Sequence, residues 1–168
     1  MLIRKAIEED ARRIAEIHVA SWRVAYRGIF PPQYIERRSV DQRHRYWSLA
    51  IAQREQDVRA AMLDDKIVGW ASYSRDRDLF DAQEVRELTS IYIDPPHWYC
   101  GAGKSLLHGI IAELRDTSAR TLTVWVLERN HPAVSFYRSS GFHDLATMIS
   151  DHDGVDLRHL KLQRPIHS

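Results

Sequence analysis

One stretch of the chain combines two glycines with the start of a helix-forming run. Residues Tyr99–Leu107 read Tyr-Cys-Gly-Ala-Gly-Lys-Ser-Leu-Leu and follow a β-rich run that stops at Pro95 and Pro96. Glycines at 101 and 103 let backbone N–H groups turn toward one point without a Cβ in the way. The N-terminus of the helix that follows adds partial positive charge at the same point. The segment therefore predicts a cradle for a ligand with a di- or triphosphate.

The spacing of the glycines excludes two of the protein classes that use such a cradle. A Walker A loop needs a glycine five positions before Gly103, and Trp98 stands there. A dinucleotide-binding fingerprint that starts at Gly101 needs Gly or Ala three residues after Gly103, where the chain has Leu106. Neither a P-loop nor a Rossmann loop is therefore expected.

The remaining pattern resembles the signature of the GNAT superfamily of N-acetyltransferases: Gln or Arg, two residues, Gly, one residue, then Gly or Ala. Gly101 and Gly103 match it, whereas Trp98 takes the Gln/Arg position and Tyr99 stands where a further glycine is common. A second block, Leu122–Phe142, resembles the strand, Asn, helix, Phe-Tyr and Gly-Phe sequence of the same family. The resemblance extends over residues 1–163.

The resemblance implies that coenzyme A, as acetyl-CoA, is the cofactor. Backbone amides from Cys100 to Ser105 would hold its pyrophosphate, with the Ser105 hydroxyl as a further donor. The strand at 91–93 would splay from the strand at 121–127, and an N–H of Ile93 or Tyr92 would polarise the thioester carbonyl. The expected cofactor-binding residues are Ile91, Tyr92, Ile93, Trp98, Cys100, Gly101, Ala102, Gly103, Lys104, Ser105, Asn130 and Tyr137.

Two residues are the expected catalytic groups. Glu87 lies fourteen residues before Gly101, the spacing of the catalytic glutamate in the family's histone acetyltransferases, and would take the proton of the amine. The alternative is a solvent-facing carboxylate at a strand end. Tyr137 matches the family's tyrosine that hydrogen-bonds the departing thiolate; the alternative is a core aromatic beside Phe136. Asn130 is expected to cap a helix and, in addition, to contact the cofactor.

The acceptor pocket is expected to be lined by Trp22, Tyr26 and Tyr34, on the helices before Val58. Aromatic walls suit a peptide terminus, a polyamine or an aminoglycoside-like amine through cation–π contact, and the sequence does not choose among them. Trp22 and Tyr26 lie four residues apart, so core packing explains them equally well.

The elements that must position these residues follow from periodicity. Helical spacing runs from Glu8 to about Ala20, and two further helical pieces precede Val58. Period-two segments follow at 58–63, 67–73 and 87–93, and the last two strands lie at 142–149 and 156–162 around a turn at 150–154. The resulting expectation is an α/β fold with a GNAT-like mixed central sheet in the order β-α-α-β-β-β-α-β-α-β-β. A single domain over residues 1–168 fits the length.

Composition narrows the function further. Twenty-four basic and 23 acidic residues give a formal net charge of +1, which does not favour binding to nucleic acid or membrane. Arginines between Arg37 and Arg54 are interpreted as a solvated helix face. One cysteine and no leader pattern favour the cytoplasm, and no metal site is expected. The expected function is acetyl-CoA-dependent transfer to a primary amine of a small molecule or peptide by direct attack in a ternary complex. The alternative is a non-catalytic acyl-CoA-binding or sensor module; a homodimer is a family expectation.

Overall fold

The computed structural model describes residues 1–78, 83–152 and 154–167, except for the side chain of His152. The chain forms two compact units, one from Met1–Ser74 with Ser90–Ala112 and one from Arg75–Thr89 with Glu113–Ser168. The expectation of a single domain stays a prediction.

The first unit contains most of the helices. Its elements are β1 (Leu2–Lys5), α1 (Ala11–Ala25), α2 (Pro32–Glu36), α3 (Val40–Ala52), β2 (Asp57–Leu63), β3 (Lys66–Arg75), the end of β4 (Val85–Ile93) and most of α4 (Ala102–Arg115). The strand order is β1-β2-β3-β4, and β1, β2 and β3 pair antiparallel. Ile14, Ile17, Trp47 and Trp70 lie at its core.

The second unit is built on a buried strand. It contains the start of β4, the end of α4, β5 (Thr121–Leu127), α5 (His131–Ser139), β6 (His143–His152) and β7 (Val155–Pro165), with strand order β4-β5-β7-β6. β5 runs parallel to β4 and antiparallel to β7, so it is hydrogen-bonded on both edges. The β-branched and apolar sequence of β5 suits this position, because both faces of a central strand are covered.

The turn after α5 explains a glycine of the second sequence block. Gly141 has φ +86° and follows the last residues of the helix. Its N–H donates to the carbonyl of Arg138 at 3.1 Å, and the N–H of Phe142 donates to the carbonyl of Tyr137 at 3.1 Å. This pair of hydrogen bonds is the Schellman closure, which requires the left-handed conformation that glycine adopts without strain.

The predicted fold class is confirmed: the described residues form helices and seven strands, mostly antiparallel. Several details differ from the sequence-based expectation. The three helical pieces predicted before Val58 are present as α1, α2 and α3, one more helix than the expected element order contains; Pro31 and Pro32 lie at the start of the five-residue α2. α1 extends to Ala25. β6 continues to His152, so the predicted turn at 150–154 was too long; the polar residues at 150–152 pair with β7 instead.

Candidate functional site

The glycine turn in the first unit presents amides that the helix does not use. Gly101 has φ +89°, and α4 begins at Ala102. The N–H of Ser105 donates to the carbonyl of Gly101 at 3.0 Å, which is the first hydrogen bond of the helix. The N–H groups of residues 101–104 precede that bond and have no partner within the helix. Of the amides expected to hold the pyrophosphate, Cys100 to Ser105, the Ser105 amide already donates within the helix.

Tyr99 shows what the missing glycine of the motif costs. Its φ is +63° and the residue is 93% exposed. A residue with a Cβ therefore holds the left-handed conformation, and packing contacts of its side chain do little to offset the strain. This conformation costs roughly 1–2 kcal/mol for a residue with a Cβ. Cys100 is exposed, and its thiol donates to the carbonyl of His97 at 2.8 Å.

The end of β4 is fixed by contacts from the rest of the first unit. The N–H of Asp94 donates to the carbonyl of Val68 at 2.8 Å, and Arg13 donates to the carboxylate of Asp94. The indole N–H of Trp98 donates to the carbonyl of Ile93 at 2.7 Å. Trp98 stands at the family's Gln/Arg position. Its only side-chain donor is thus used in a hydrogen bond to the end of β4.

Gly69 is a positioning residue that the sequence analysis missed. It lies on β3 opposite the end of β4, and a Cβ at this position would overlap with Cδ1 of Ile93 and lie 3.1 Å from the carbonyl oxygen of Tyr92. Glycine allows the two backbones this approach, whereas a Cβ would force the Ile93 side chain to turn away and the Tyr92 backbone to shift slightly. A glycine inside an otherwise apolar strand was the available signal.

A buried histidine packs against the same strand. The ring of His18 stacks on the ring of Tyr92 with centroids 4.6 Å apart, and its Nδ1 accepts from the indole N–H of Trp47 at 3.2 Å. Burial, together with the positive charges of Arg43 and Arg38, lowers the pKa of His18 to about 3. His18 is therefore neutral, with its proton on Nε2. The sequence analysis did not single out His18.

The three predicted acceptor residues belong to one aromatic cluster in the first unit. Trp22 is 6% exposed and contacts Tyr26 and Tyr34, with centroids 4.9 and 6.1 Å away. Phe30 stacks on both Trp22 and Tyr34. The guanidinium carbon of Arg38 lies 4.6 Å from the centroid of Trp22. Trp22 is thus a core residue whose face already carries a cation, whereas Tyr26 and Tyr34 stay partly exposed.

Glu87, in the second unit, is not a solvent-facing carboxylate, and that alternative is wrong. Its side chain is 1% exposed. Arg77 donates to it twice from the guanidinium, at 3.0 Å to Oε2 and 2.6 Å to Oε1, and a third time from the backbone N–H at 3.3 Å. Arg77 itself is 63% exposed. The burial of Glu87 is thus compensated by one surface arginine from the neighbouring segment.

A second ionic group lies beside β4, the strand that carries Glu87. Lys161 donates to Asp76 at 2.9 Å and to Asp78 at 2.6 Å, and Thr123 donates to Asp76 at 2.5 Å. Although burial alone would raise the pKa of Asp76, the hydrogen bonds from Thr123 and Lys161 hold it below its usual value. The group anchors the segment before β4 to β5 and β7. β4 pairs with β5 over Val85–Glu87, and this pairing ends where Glu87 lies opposite Thr123.

Tyr137 lies on α5 of the second unit, and Asn130 is the N-cap of that helix. Asn130 is buried, and its side-chain oxygen accepts from the N–H of Ala133 at 3.3 Å, which confirms the predicted cap. Tyr137 is 5% exposed, and its ring contacts Phe136 and Phe142 edge-on at 5.3 and 5.5 Å. The ring is therefore a core aromatic whatever its hydroxyl does, and the two interpretations of Tyr137 do not exclude each other.

The described residues contain neither a membrane-spanning helix nor a cluster of metal ligands. None of the helices there is both long enough and apolar enough to cross a membrane. In the same part of the chain, no group of three or more His, Cys, Asp or Glu side chains could hold a metal ion.

Comparison with known proteins adds relatives and neighbours. The sequence model described as "Acetyltransferase (GNAT) family" matches residues 11–142. An uncharacterised N-acetyltransferase, YuaI of Bacillus subtilis, is 29% identical over 97% of this chain and 92% of its own length. Spermidine N(1)-acetyltransferase of Thermoplasma acidophilum is 25% identical, with 92% of each chain covered.

Solved structures agree in fold. The structure of yncA from Salmonella typhimurium with its cofactor acetyl-CoA superposes with a TM-score of 0.75 at 22% identity, over 99% of this chain and 94% of that one. At this level of identity the likeness concerns the fold.

Proposed function

Since this chain belongs to the GNAT family of acetyltransferases, we propose that it is an acetyl-CoA-dependent N-acetyltransferase that acts on a primary amine of a small molecule or peptide. The observation that carries the proposal is the glycine turn before α4. The four N–H groups of residues 101–104 precede the first helical hydrogen bond, and Gly101 holds the left-handed conformation at the start of this turn. Amides and a helix N-terminus are a fitting site for a pyrophosphate.

Acetyl-CoA supplies an activated thioester, and the protein must polarise its carbonyl. The N–H of Asp94 donates to β3. Since consecutive residues of a regular antiparallel strand direct their N–H groups to opposite edges, the N–H of Ile93 points away from β3. Of the two candidates, Ile93 and Tyr92, this alternation favours Ile93 as the oxyanion donor. Trp98, Asp94 and Gly69 fix the backbone around it.

Two side chains of the second unit handle protons in this proposal. The hydroxyl of Tyr137 donates to the departing thiolate, which suits a phenol because its ordinary pKa of about 10 exceeds the roughly 8.5 of a thiol. Glu87 accepts the proton that the amine loses. Since both of its oxygens accept from Arg77, Glu87 does so through water or after that ion pair opens. Asn130 contacts the cofactor from the start of α5.

The acceptor lies against the aromatic cluster of the first unit, with Tyr26 and Tyr34 as its exposed members and Trp22 as the support beneath them. Direct attack in a ternary complex needs no covalent enzyme intermediate, and the lone Cys100 has no general base in hydrogen-bond contact among the described residues. A cytoplasmic location agrees with a single, exposed cysteine. A homodimer stays a prediction.

Calorimetric titration with acetyl-CoA tests the proposal, and Gly101→Ala is the informative variant. Positions 101 and 154 both have positive φ, +89° and +81°, and both leave open space for a Cβ. Alanine at either position adds similar backbone strain, but only position 101 belongs to the glycine turn. We expect Gly101→Ala to weaken acetyl-CoA binding at least tenfold and Gly154→Ala to leave it unchanged.

Equal effects of the two substitutions, or no binding by the unchanged protein, would refute the proposed site. Thiol release with a panel of amines then separates an enzyme from a non-catalytic module. Binding of acetyl-CoA without release from any amine would favour the sensor alternative.

A further inference from the structure

Two partly buried arginines of the first unit lack the carboxylate partners that other partly buried or buried arginines of this unit have. Arg4 pairs with Asp10 at 2.6 Å, Arg13 pairs with Asp94, and Arg59 pairs with Asp57 at 3.7 Å. Arg38 and Arg43 are half-buried too, yet within the described ranges no carboxylate pairs with either guanidinium. The interpretation of this segment as a solvated face is therefore wrong at these two positions.

The contacts of Arg38 and Arg43 hold both side chains without neutralising them. The guanidinium carbon of Arg38 lies 4.6 Å from the centroid of Trp22 and 5.7 Å from that of Tyr34, and Arg43 lies 6.0 Å from the centroid of Tyr46. A ring face attracts a cation but accepts none of its N–H donors in a conventional hydrogen bond. Both forks therefore keep donors for a planar anion.

The electrostatics around Arg43 point the same way. Burial and the charge of Arg38 lower the pKa of Arg43, and the nearby groups that oppose this are the phenols of Tyr92 and Tyr46 rather than any carboxylate. The same two arginines help to keep His18 neutral. Two half-buried positive charges that repel each other and lack a carboxylate cost stability, and a bound anion would offset this cost.

The place of the pair within the first unit connects it to the acyl-transfer site. The phenol of Tyr92 is near enough to Arg43 to affect its pKa, the ring of Tyr92 stacks on His18, and its neighbour along β4 is Ile93, the proposed oxyanion donor. Arg38 lies on the aromatic cluster expected to line the acceptor pocket. An anion held by Arg38 and Arg43 would therefore lie beside the proposed acceptor pocket.

We propose that Arg38 and Arg43 bind the carboxylate of the acceptor, so that the acceptor is a free amino acid rather than a polyamine. The inference rests on the proposed acetyltransferase function and narrows its substrate class. The ring of Trp22, which in the sequence analysis was a candidate to receive an ammonium group, already carries Arg38. A polyamine would bring further positive charge to two cations that lack an anion, which disfavours it.

The test compares amino acids with their decarboxylated amines. L-Phenylalanine and phenethylamine, L-tyrosine and tyramine, and L-ornithine and putrescine are assayed by thiol release with saturating acetyl-CoA. We expect at least one acid to be acetylated with a kcat/KM at least tenfold above that of its amine. Arg43→Gln and Arg38→Gln should each lower kcat/KM for that acid at least tenfold while the value for the amine and the Kd of acetyl-CoA stay within twofold.

Arg45→Gln is the matched control, since Arg45 is an exposed arginine on the same helix, and it should change neither value. Thermal unfolding gives a second readout: Arg43→Gln should unfold at the same or a higher temperature, because it removes an unpaired half-buried charge. Preference for the amines, no turnover of any acid by a protein that binds acetyl-CoA, or unchanged kinetics of the two variants would overturn the inference. Loss of acetyl-CoA affinity in the Arg38 and Arg43 variants would mean that these arginines bind the cofactor, which would also overturn the inference. Failure of the unchanged protein to bind acetyl-CoA would instead overturn the proposed function.

Discussion

Gly69→Ala tests whether the close approach of β3 to the end of β4 sets the position of Ile93. The added Cβ would overlap with Cδ1 of Ile93 and lie 3.1 Å from the carbonyl oxygen of Tyr92 and 3.5 Å from the Cα of Ile93. Overpacking of this kind costs about 1–3 kcal/mol. Alanine in place of glycine returns roughly 0.5–1 kcal/mol of conformational entropy. We therefore expect a net loss of about 1–2 kcal/mol in the free energy of unfolding.

Ile93→Val removes the methyl group that the new Cβ would meet. Alone it should cost about 0.5–1 kcal/mol, because Ile93 is only partly buried. In the double variant the main overlap is gone and only the contact with the Tyr92 carbonyl remains. The double variant should therefore be at least about 1 kcal/mol more stable than the sum of the single losses predicts.

Urea unfolding measures these energies, and thiol release at saturating acetyl-CoA measures the consequence for catalysis. A displacement of Ile93 by a few tenths of an ångström should lower kcat about tenfold, and Ile93→Val should restore part of it. Gly109→Ala is the control: its Cβ would meet only the side chain of Ile3, at 3.2 Å or more, and kcat should not change. Additive single effects, or full stability and activity of Gly69→Ala, would refute the reasoning.

Three further predictions concern single groups. Tyr137→Phe should lower kcat by about 10- to 100-fold with little change in the KM for acetyl-CoA, as steady-state thiol release would show; equal changes in both would contradict the thiolate role. His18 has a folded pKa of about 3, below its unfolded value of about 6.5, so the unfolded state alone gains a proton as the pH falls. The free energy of unfolding should thus fall by about 2 kcal/mol between pH 7.5 and pH 5, measured in urea, and His18→Gln should lack this slope. Tyr99→Gly should raise the free energy of unfolding by about 0.5–1 kcal/mol, because relief of the positive φ of +63° exceeds the added chain entropy, whereas Tyr99→Ala should not.

Local signals in the sequence predicted the elements that depend on nearby residues. The Asn130 cap and the strand over residues 121–127 were predicted, because each follows from backbone chemistry within a few positions. The end of β6 was missed, since pairing with β7 overrode the polar, turn-like composition at 150–152.

The candidate site shows the same division between features that depend on nearby residues and features that depend on distant ones. The glycine turn, with its free amides, was predicted from Gly101 and Gly103, since conformation and helix polarity are local properties. The partners of Glu87 and the neighbours of Arg43 were not, because each contact joins residues that are far apart in the chain or follow no periodic pattern.

The amino-acid sequence by itself determined the family resemblance, the fold class and the place of the glycine turn before α4, because motif spacing and periodicity record these directly. Only the tertiary structure decided that Glu87 is buried against Arg77, that Gly69 admits the end of β4, and that Arg38 and Arg43 lack a carboxylate within the described chain. Burial and pairing are properties of which surfaces meet. No stretch of sequence specifies that on its own.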